Sequence, residues 1–118
     1  MEAIYDSRGD VIGWFEDANM VRNLHGAVVA WHKNGTIYDL GGHERAKFSD
    51  GFFRVAGDAF AFIQGARVGP SLPMRSVRPV RPVRHVKPVR PVFAVPTVAP
   101  VSSRNWSHLS PSEVIQGL

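Results

Sequence analysis

Apolar residues in the first 66 positions occur in runs of about five, and short polar segments separate these runs. The runs are rich in Val, Ile, Phe, Tyr and Trp, and they show no helical period. The separating segments, "EDAN", "HKNG" and "SDG", contain residues that tolerate tight-turn geometry. Such a pattern is typical of short β-strands joined by hairpin turns. It predicts that residues 1–66 form one all-β domain.

Four glycines mark an internal repeat within this domain. Five positions before each glycine the chain has an apolar residue, three before it a polar one, and four after it a small one. The glycines are Gly9, Gly26, Gly42 and Gly57, spaced by 17, 16 and 15 residues. The apolar residues are Ile4, Val21, Ile37 and Phe52; the polar ones are Asp6, Asn23, Asp39 and Arg54; the small ones are Gly13, Ala30, Ala46 and Ala61.

Each repeat predicts one β-hairpin with its turn at the glycine, and four similar hairpins predict pseudo-fourfold symmetry. The small residues mark the place where four strands approach one another too closely for larger side chains. We expect the first strand, "AIYD", to pair with the last, "FAFIQ", because a closed ring has no exposed strand edges. A linear β-meander is the alternative.

Residues 67–102 follow a different period. Valine recurs at every third position from Val77 to Val101, and proline occupies most of the positions that precede the next valine. A strand has period two and a helix 3.6, whereas polyproline II has three residues per turn. The segment therefore predicts an extended polyproline II arm with a valine edge, a cationic edge and a proline edge. The cationic residues are Arg78, Arg81, Arg84, Lys87 and Arg90.

Three roles for this arm stay open. It is a soluble spacer, a polyanion-binding strip whose five cations contact nucleic acid or an anionic membrane surface, or a proline-rich ligand for an aromatic groove. No Phe, Trp or Tyr lies between Arg78 and Arg90, which argues against recognition of single-stranded nucleic acid by base stacking.

Residues 103–118 predict a short helical docking motif. Ser110, Pro111 and Glu113 have the spacing of a capping box with proline at the first helical position. So short a helix needs a surface to pack on, and its anchors are Trp106, Leu109, Val114 and Ile115. We favour docking on another protein or a sister subunit, because the arm could place the motif up to ~78 Å away. Docking on its own domain is the alternative.

Charge and composition limit the function further. Residues 1–66 have six Lys/Arg and nine Asp/Glu, for a net charge of −3; residues 67–118 have eight and one, for +7. The chain has no cysteine, which suits a reducing, cytoplasmic compartment, and it predicts neither a secretory signal nor a membrane span. No catalytic, metal-binding or phosphate-binding motif is present, so we expect no enzyme activity, no metal and no cofactor.

Several of these segments together resemble the bacterial four-fold β-flower proteins. They are "YDSRGDVIGWF", "HGAVVAW", "IYDLGGHERAKF", "FAFIQGA" and the terminal "WSHLSPSEVI". The resemblance implies a fourfold pseudo-symmetric β fold and no activity for any residue; Arg54, in place of Asp or Asn, departs from the repeat. We expect a non-enzymatic scaffold that presents the Trp106 motif on a basic tether, with polyanion binding as the alternative. Homo-oligomerisation stays open.

Overall fold

The computed structural model describes residues 1–76 and 87–118, which contain eight short β-strands and one helical turn. The strands are β1 (Glu2–Tyr5), β2 (Val11–Glu16), β3 (Met20–Asn23), β4 (Val28–Lys33), β5 (Thr36–Tyr38), β6 (Glu44–Ser49), β7 (Phe52–Val55) and β8 (Asp58–Ile63). The helical turn is α1 (Pro111–Val114).

The eight strands form a closed antiparallel barrel in chain order. Closure comes from β1 and β8, in which Ile4 pairs with Ile63 and Tyr5 with Phe62. The predicted all-β fold of four hairpins is confirmed, and the ring closes rather than ending as an open meander. Because the strands alternate in direction, all four glycine turns lie at one end of the barrel, which we call the glycine end.

The four small residues lie directly opposite large apolar ones inside the barrel. Gly13 pairs with Ile4, Ala30 with Val21, Ala46 with Ile37, and Ala61 with Phe53. A Cβ on Gly13 would collide with the carbonyl oxygen of Arg22. At Gly13, one member of the predicted column, the strands therefore approach too closely for a larger side chain.

One alignment made from the sequence is wrong. The residue equivalent to Ile4, Val21 and Ile37 is Phe53, which lies in the barrel core, and not Phe52, which packs on the outside. The reason is the length of the fourth turn. Val55 pairs with Asp58 across a two-residue turn at Ala56 and Gly57, so counting back from the glycine shifts the register by one.

A short polar side chain organises each of the first three glycine turns. Asp6 Oδ1 accepts hydrogen bonds from the backbone N–H groups of Arg8 and Asp10, at 2.9 and 3.0 Å. Asn23 and Asp39 accept the equivalent pairs in the next two repeats. These bonds satisfy the turn amides locally, as Asx turns do. The shorter fourth turn has no such cap.

The C-terminal segment closes the glycine end of the barrel. Val114 and Ile115 are buried in the same core cluster as the barrel interior, and Leu118 packs against it. The predicted capping box at Ser110 and Glu113 is present. The helical turn is short because it serves only to turn two apolar side chains into the barrel mouth.

Candidate interaction surface formed by the C-terminal tail

Eight large side chains form a ring around the outside of the barrel. They occur as cross-strand pairs at the four places where one hairpin meets the next, and strand alternation directs them away from the core. The pairs are Trp14 with Arg22, Trp31 with Tyr38, Lys47 with Arg54, and Phe62 with Tyr5. Seven of these residues are aromatic or arginine and are at most 6% exposed, so other parts of the chain cover them.

For three of the four pairs, part of this cover is the chain's own C-terminal tail (residues 67–118), which passes over the first, third and fourth glycine turns. A Cβ on Gly9 would collide with the carbonyl oxygen of Met74, one on Gly42 with that of Val92, and one on Gly57 with that of Val101. These three glycines have φ of 85–87°. Each of these three turns therefore requires glycine for two reasons: its backbone is left-handed, and the tail approaches its Cα closely.

The same backbone hydrogen bond follows each of these contacts. Two residues further along the tail, Ser76 N–H donates to Gly9 O, Ala94 N–H to Gly42 O, and Ser103 N–H to Gly57 O, each at 2.9 Å. The three glycine carbonyls thus form matching acceptor sites along the path of the tail.

These donors explain where proline is missing from the triplets. Proline has no N–H group, and Pro88, Pro91 and Pro100 occupy positions in the same phase as Ala94 and Ser103. The remaining described residue in this phase, Thr97, donates its N–H to Glu44 Oε1 at 2.9 Å. Each described non-proline residue of this phase therefore donates a backbone hydrogen bond to the barrel. His85 shares the phase but lies outside the described residues.

Side chains of the outer ring add further contacts to the tail. Tyr38 donates its hydroxyl hydrogen to Ala94 O at 3.0 Å, and its ring stacks on Phe93 with centroids 4.5 Å apart. Lys47 Nζ donates to Thr97 O at 2.6 Å. These bonds go to main-chain oxygens, so the barrel recognises the path of the tail more than the identity of its side chains.

Arg54 joins the tail to the barrel in the fourth repeat. The residue is 3% exposed, and its guanidinium donates to the carbonyl oxygens of Gly57, Ser103 and Val68, at 2.7, 2.7 and 3.0 Å. Burial lowers the pKa of this guanidinium below its ordinary value, and the charges of Asp50 and Asp58 oppose that shift. After the one-residue register correction, Arg54 is the equivalent of Arg22, whose guanidinium likewise donates to the turn carbonyl oxygen of Gly26, and not of the Asx caps. Its bonds to Ser103 and Val68 additionally connect the barrel to the tail.

The tail leaves one edge facing solvent. Five successive triplet valines are 90–94% exposed, and we call this set the valine ridge: Val89, Val92, Val95, Val98 and Val101. A regular row of almost fully exposed apolar side chains is unusual on a folded domain and is typical of a contact surface.

The predicted partner-binding residues lie against their own barrel. Trp106 bridges to Ala59 and packs on Phe52 and Phe62, with ring centroids 6.3 and 6.0 Å apart. Val114 and Ile115 are buried, at 8% and 1% exposed, whereas Leu109 is 44% exposed. The structure therefore differs from the favoured expectation that this motif extends away to another chain, because the barrel mouth supplies the apolar surface it needs.

The predicted cationic edge is partly described. Arg78, Arg81 and Arg84 lie outside the described residues. Lys87 and Arg90 are exposed, and the Arg90 guanidinium lies 5.9 Å from the ring centroid of Trp31 and 5.1 Å from that of Phe93. Arg90 therefore packs on Trp31 of the barrel and on Phe93 of the tail, and its side chain stays exposed to water.

No metal centre emerges from the described residues. No group of three His, Asp or Glu side chains there could hold a metal ion. A cavity of about 340 Å³ lies between β6, β7 and residues 96–102, but its Lys47 ammonium already bonds to Thr36, Glu44 and Thr97. The described part of the chain also contains no helix of the length and apolarity that crossing a bilayer requires.

Sequence reasoning missed the outer ring and its glycine acceptors. The repeated aromatic positions, Trp14, Trp31 and Phe62, were visible, but their role depends on what the tail does in space. One signal was available: proline is absent from the third triplet position at Ala94 and Thr97. A missing proline in such a tract marks a place where an N–H group is needed.

Comparison with known proteins agrees with this architecture. The family model described as 4-fold beta flower protein matches residues 2–115. The match covers the barrel, the tail and the terminal helical turn, so the chain belongs to that family. No curated protein and no solved structure matches the chain.

Proposed function

We propose that this 4-fold beta flower protein is a non-enzymatic scaffold that displays the valine ridge to a protein partner. The observation that carries the proposal is the exposure of the five ridge valines, each at least 90% accessible. The barrel contributes by fixing the tail, which lowers the entropy cost of binding.

The favoured partner has an aromatic-lined groove that accepts an extended chain. Such grooves bind proline-rich segments through apolar side chains that project at a period of three. The ridge offers this period in a stretch without charge, from Val92 to Val101. The terminal motif contributes less to the proposed surface. Leu109 is exposed and available to a partner, whereas Trp106, Val114 and Ile115 pack against the barrel.

A quantitative pull-down tests the proposal. Full-length protein with Val92→Ser, Val95→Ser and Val98→Ser should lose at least tenfold of the enrichment of its specific partners. Leu24→Ser with Leu40→Ser is the matched control, because these leucines are 45% and 46% exposed at the tips of two barrel turns. The control should retain the partners, and purified candidates should then bind the ridge directly. Retention of every partner by the ridge variant would refute the proposal.

Polyanion binding is the second candidate, supported by the net charge of +7 over residues 67–118 and by the exposure of Lys87 and Arg90. If five phosphate contacts drive binding to duplex DNA, log K should fall with log salt at a slope of about −4.5. Glutamine at Arg78, Arg81, Arg84, Lys87 and Arg90 should abolish that binding and leave valine-ridge contacts intact. A slope near zero would remove this candidate.

A further inference from the structure

The outer face of the barrel is a repeated set of main-chain acceptors and aromatic side chains, and it continues around the hairpins. We propose that this face is a docking groove for an extended triplet-repeat chain, and that the tail of a second copy can occupy it in place of the chain's own tail.

The first argument is the kind of contact. The glycine carbonyls accept tail N–H groups, while Tyr38, Lys47 and Arg54 donate to tail carbonyl oxygens. None of these bonds depends on the tail belonging to the same chain. A second copy presents identical groups in identical order, so it would make the same set of bonds.

The second argument is the register between tail and barrel. Val92 and Val101 contact consecutive glycine turns and lie nine positions apart. Met74 and Val92 contact the first and third turns and lie 18 positions apart, which is again nine per hairpin. Nine residues are three complete triplets, so the first, third and fourth hairpins meet the tail in the same phase. A chain with this period therefore matches the spacing of the glycine turns, whether it belongs to the same copy or to a second one.

The third argument concerns charge and connection. The barrel residues 1–66 have a net charge of −3 and the tail residues 67–118 have +7, so tails are attracted to barrels of other copies as well as their own. The connection begins at Gly65, where a Cβ would meet nothing within 4 Å. Exchange of an identical element between copies is a low-cost route to association, because the contacts themselves are unchanged.

Peptide binding to full-length protein tests the groove. A fluorescent peptide of residues 87–107 is titrated against wild-type protein and against a variant with Ala94→Pro and Ser103→Pro, which removes two tail donors. The peptide should bind the variant at least tenfold more tightly than wild type, because the wild-type tail competes at a millimolar effective concentration. A peptide with the same two prolines should bind neither protein.

Ala99→Pro is the matched control, since Ala99 lies in the same phase as Pro96 and its N–H group makes no hydrogen bond to the barrel. It should behave as wild type. Failure of the wild-type peptide to bind the loosened variant, or equal binding of both peptides, would overturn the proposal. If the double-proline protein does not fold, a Thr97→Val and Ser103→Ala protein replaces it, because it keeps the tail N–H donors. It loses the side-chain bonds to Glu44 and Asp58 and the bond that Ser103 Oγ accepts from the Asn105 N–H group. The wild-type peptide should again bind this variant more tightly than it binds wild-type protein. Failure to do so would also overturn the proposal.

Discussion

Single residues in this protein satisfy two constraints at once, and the turn glycines show this most clearly. Gly42 combines a φ of 87° with a tail carbonyl directly above its Cα, whereas Gly65 has a φ of 86° and open space around it. The two positions therefore separate the cost of a left-handed backbone from the cost of steric conflict with the tail.

Gly42→Ala should destabilise the protein more than Gly65→Ala. Both substitutions place a Cβ on a left-handed backbone, which costs about 1–2 kcal/mol. Only the Gly42 variant must also displace Val92, so we expect its extra cost to be about 1 kcal/mol or more. Urea unfolding measures the difference, and the Ala94 amide should lose protection in the Gly42 variant alone. Equal costs would show that the tail does not press on this turn.

A second residue-scale prediction concerns Glu44, which binds the tail at Thr97. Partial burial would raise the pKa of the Glu44 carboxyl, but hydrogen bonds from Thr97 and the ion pair with Lys47 outweigh it and hold the pKa below its ordinary value of 4.5. A carboxylate with a lowered pKa in the folded state stabilises the fold above its ordinary pKa. That contribution is lost as the pH falls through the lower, folded-state value.

The Thr97 amide proton should therefore keep its NMR chemical shift from neutral pH down to about pH 4.5 and change below it. Glu44→Gln should remove this titration, because the glutamine side chain cannot ionise. In the wild-type protein, the chemical shift of the nearby Ala94 backbone amide should change with pH by less than that of Thr97. A Thr97 shift that titrates equally in the Glu44→Gln protein would contradict the assignment.

At the scale of elements, the terminal helical turn acts as a plug for the barrel and is stabilised by the surface it covers. Its capping box holds the first turn: Glu113 accepts hydrogen bonds from the Ser110 backbone and hydroxyl, and these lower the pKa of its carboxyl. A helix of four residues has too few internal bonds to persist alone. Its two buried residues, Val114 and Ile115, provide the necessary packing.

Ile115→Ala and Leu109→Ala test this description with two residues of the same motif. Ile115 is 1% exposed in the barrel core, so its truncation should cost about 2–5 kcal/mol. Leu109 is 44% exposed, and its truncation should change stability by less than about 0.5 kcal/mol. Chemical unfolding monitored by tryptophan fluorescence gives both values. Equal, small effects would mean that the plug is not seated in solution.

At the scale of the whole molecule, the tail makes the protein compact. The Cα radius of gyration is 13.2 Å, and the longest axis is 36 Å. A compact chain of 118 residues is expected to have a radius of about 13.5 Å. An arm that carried its terminal motif far from the barrel would give a much larger value.

Small-angle X-ray scattering should therefore give a radius close to the compact value and a distance distribution that ends near the longest axis. The contacts of Arg54, Lys47 and Tyr38 with the tail are the physical reason. Removal of two tail donors in the Ala94→Pro and Ser103→Pro protein should increase the radius. A wild-type distribution that extends far beyond 36 Å would show that the tail is a free tether in solution.

The sequence by itself determined the four hairpins and the period of the tail. Strand length, turn residues and the spacing of Gly9, Gly26 and Gly42 are local properties, so they predicted four hairpins without any knowledge of long-range contacts. Four similar hairpins favoured ring closure over an open meander, because a closed ring has no exposed strand edges. The fourth repeat was misaligned at Phe52 because a shorter turn changes the count without changing the residue types.

Only the tertiary structure decided where the tail and its terminal motif lie. A triplet pattern fixes the backbone conformation of a proline-rich segment, but its surroundings depend on contacts between residues about 50 positions apart, such as Lys47 with Thr97. An amphipathic motif likewise requires a surface without specifying whose surface it is. Here the barrel mouth and the outer ring provide that surface, and the valine ridge is the edge that they leave in water.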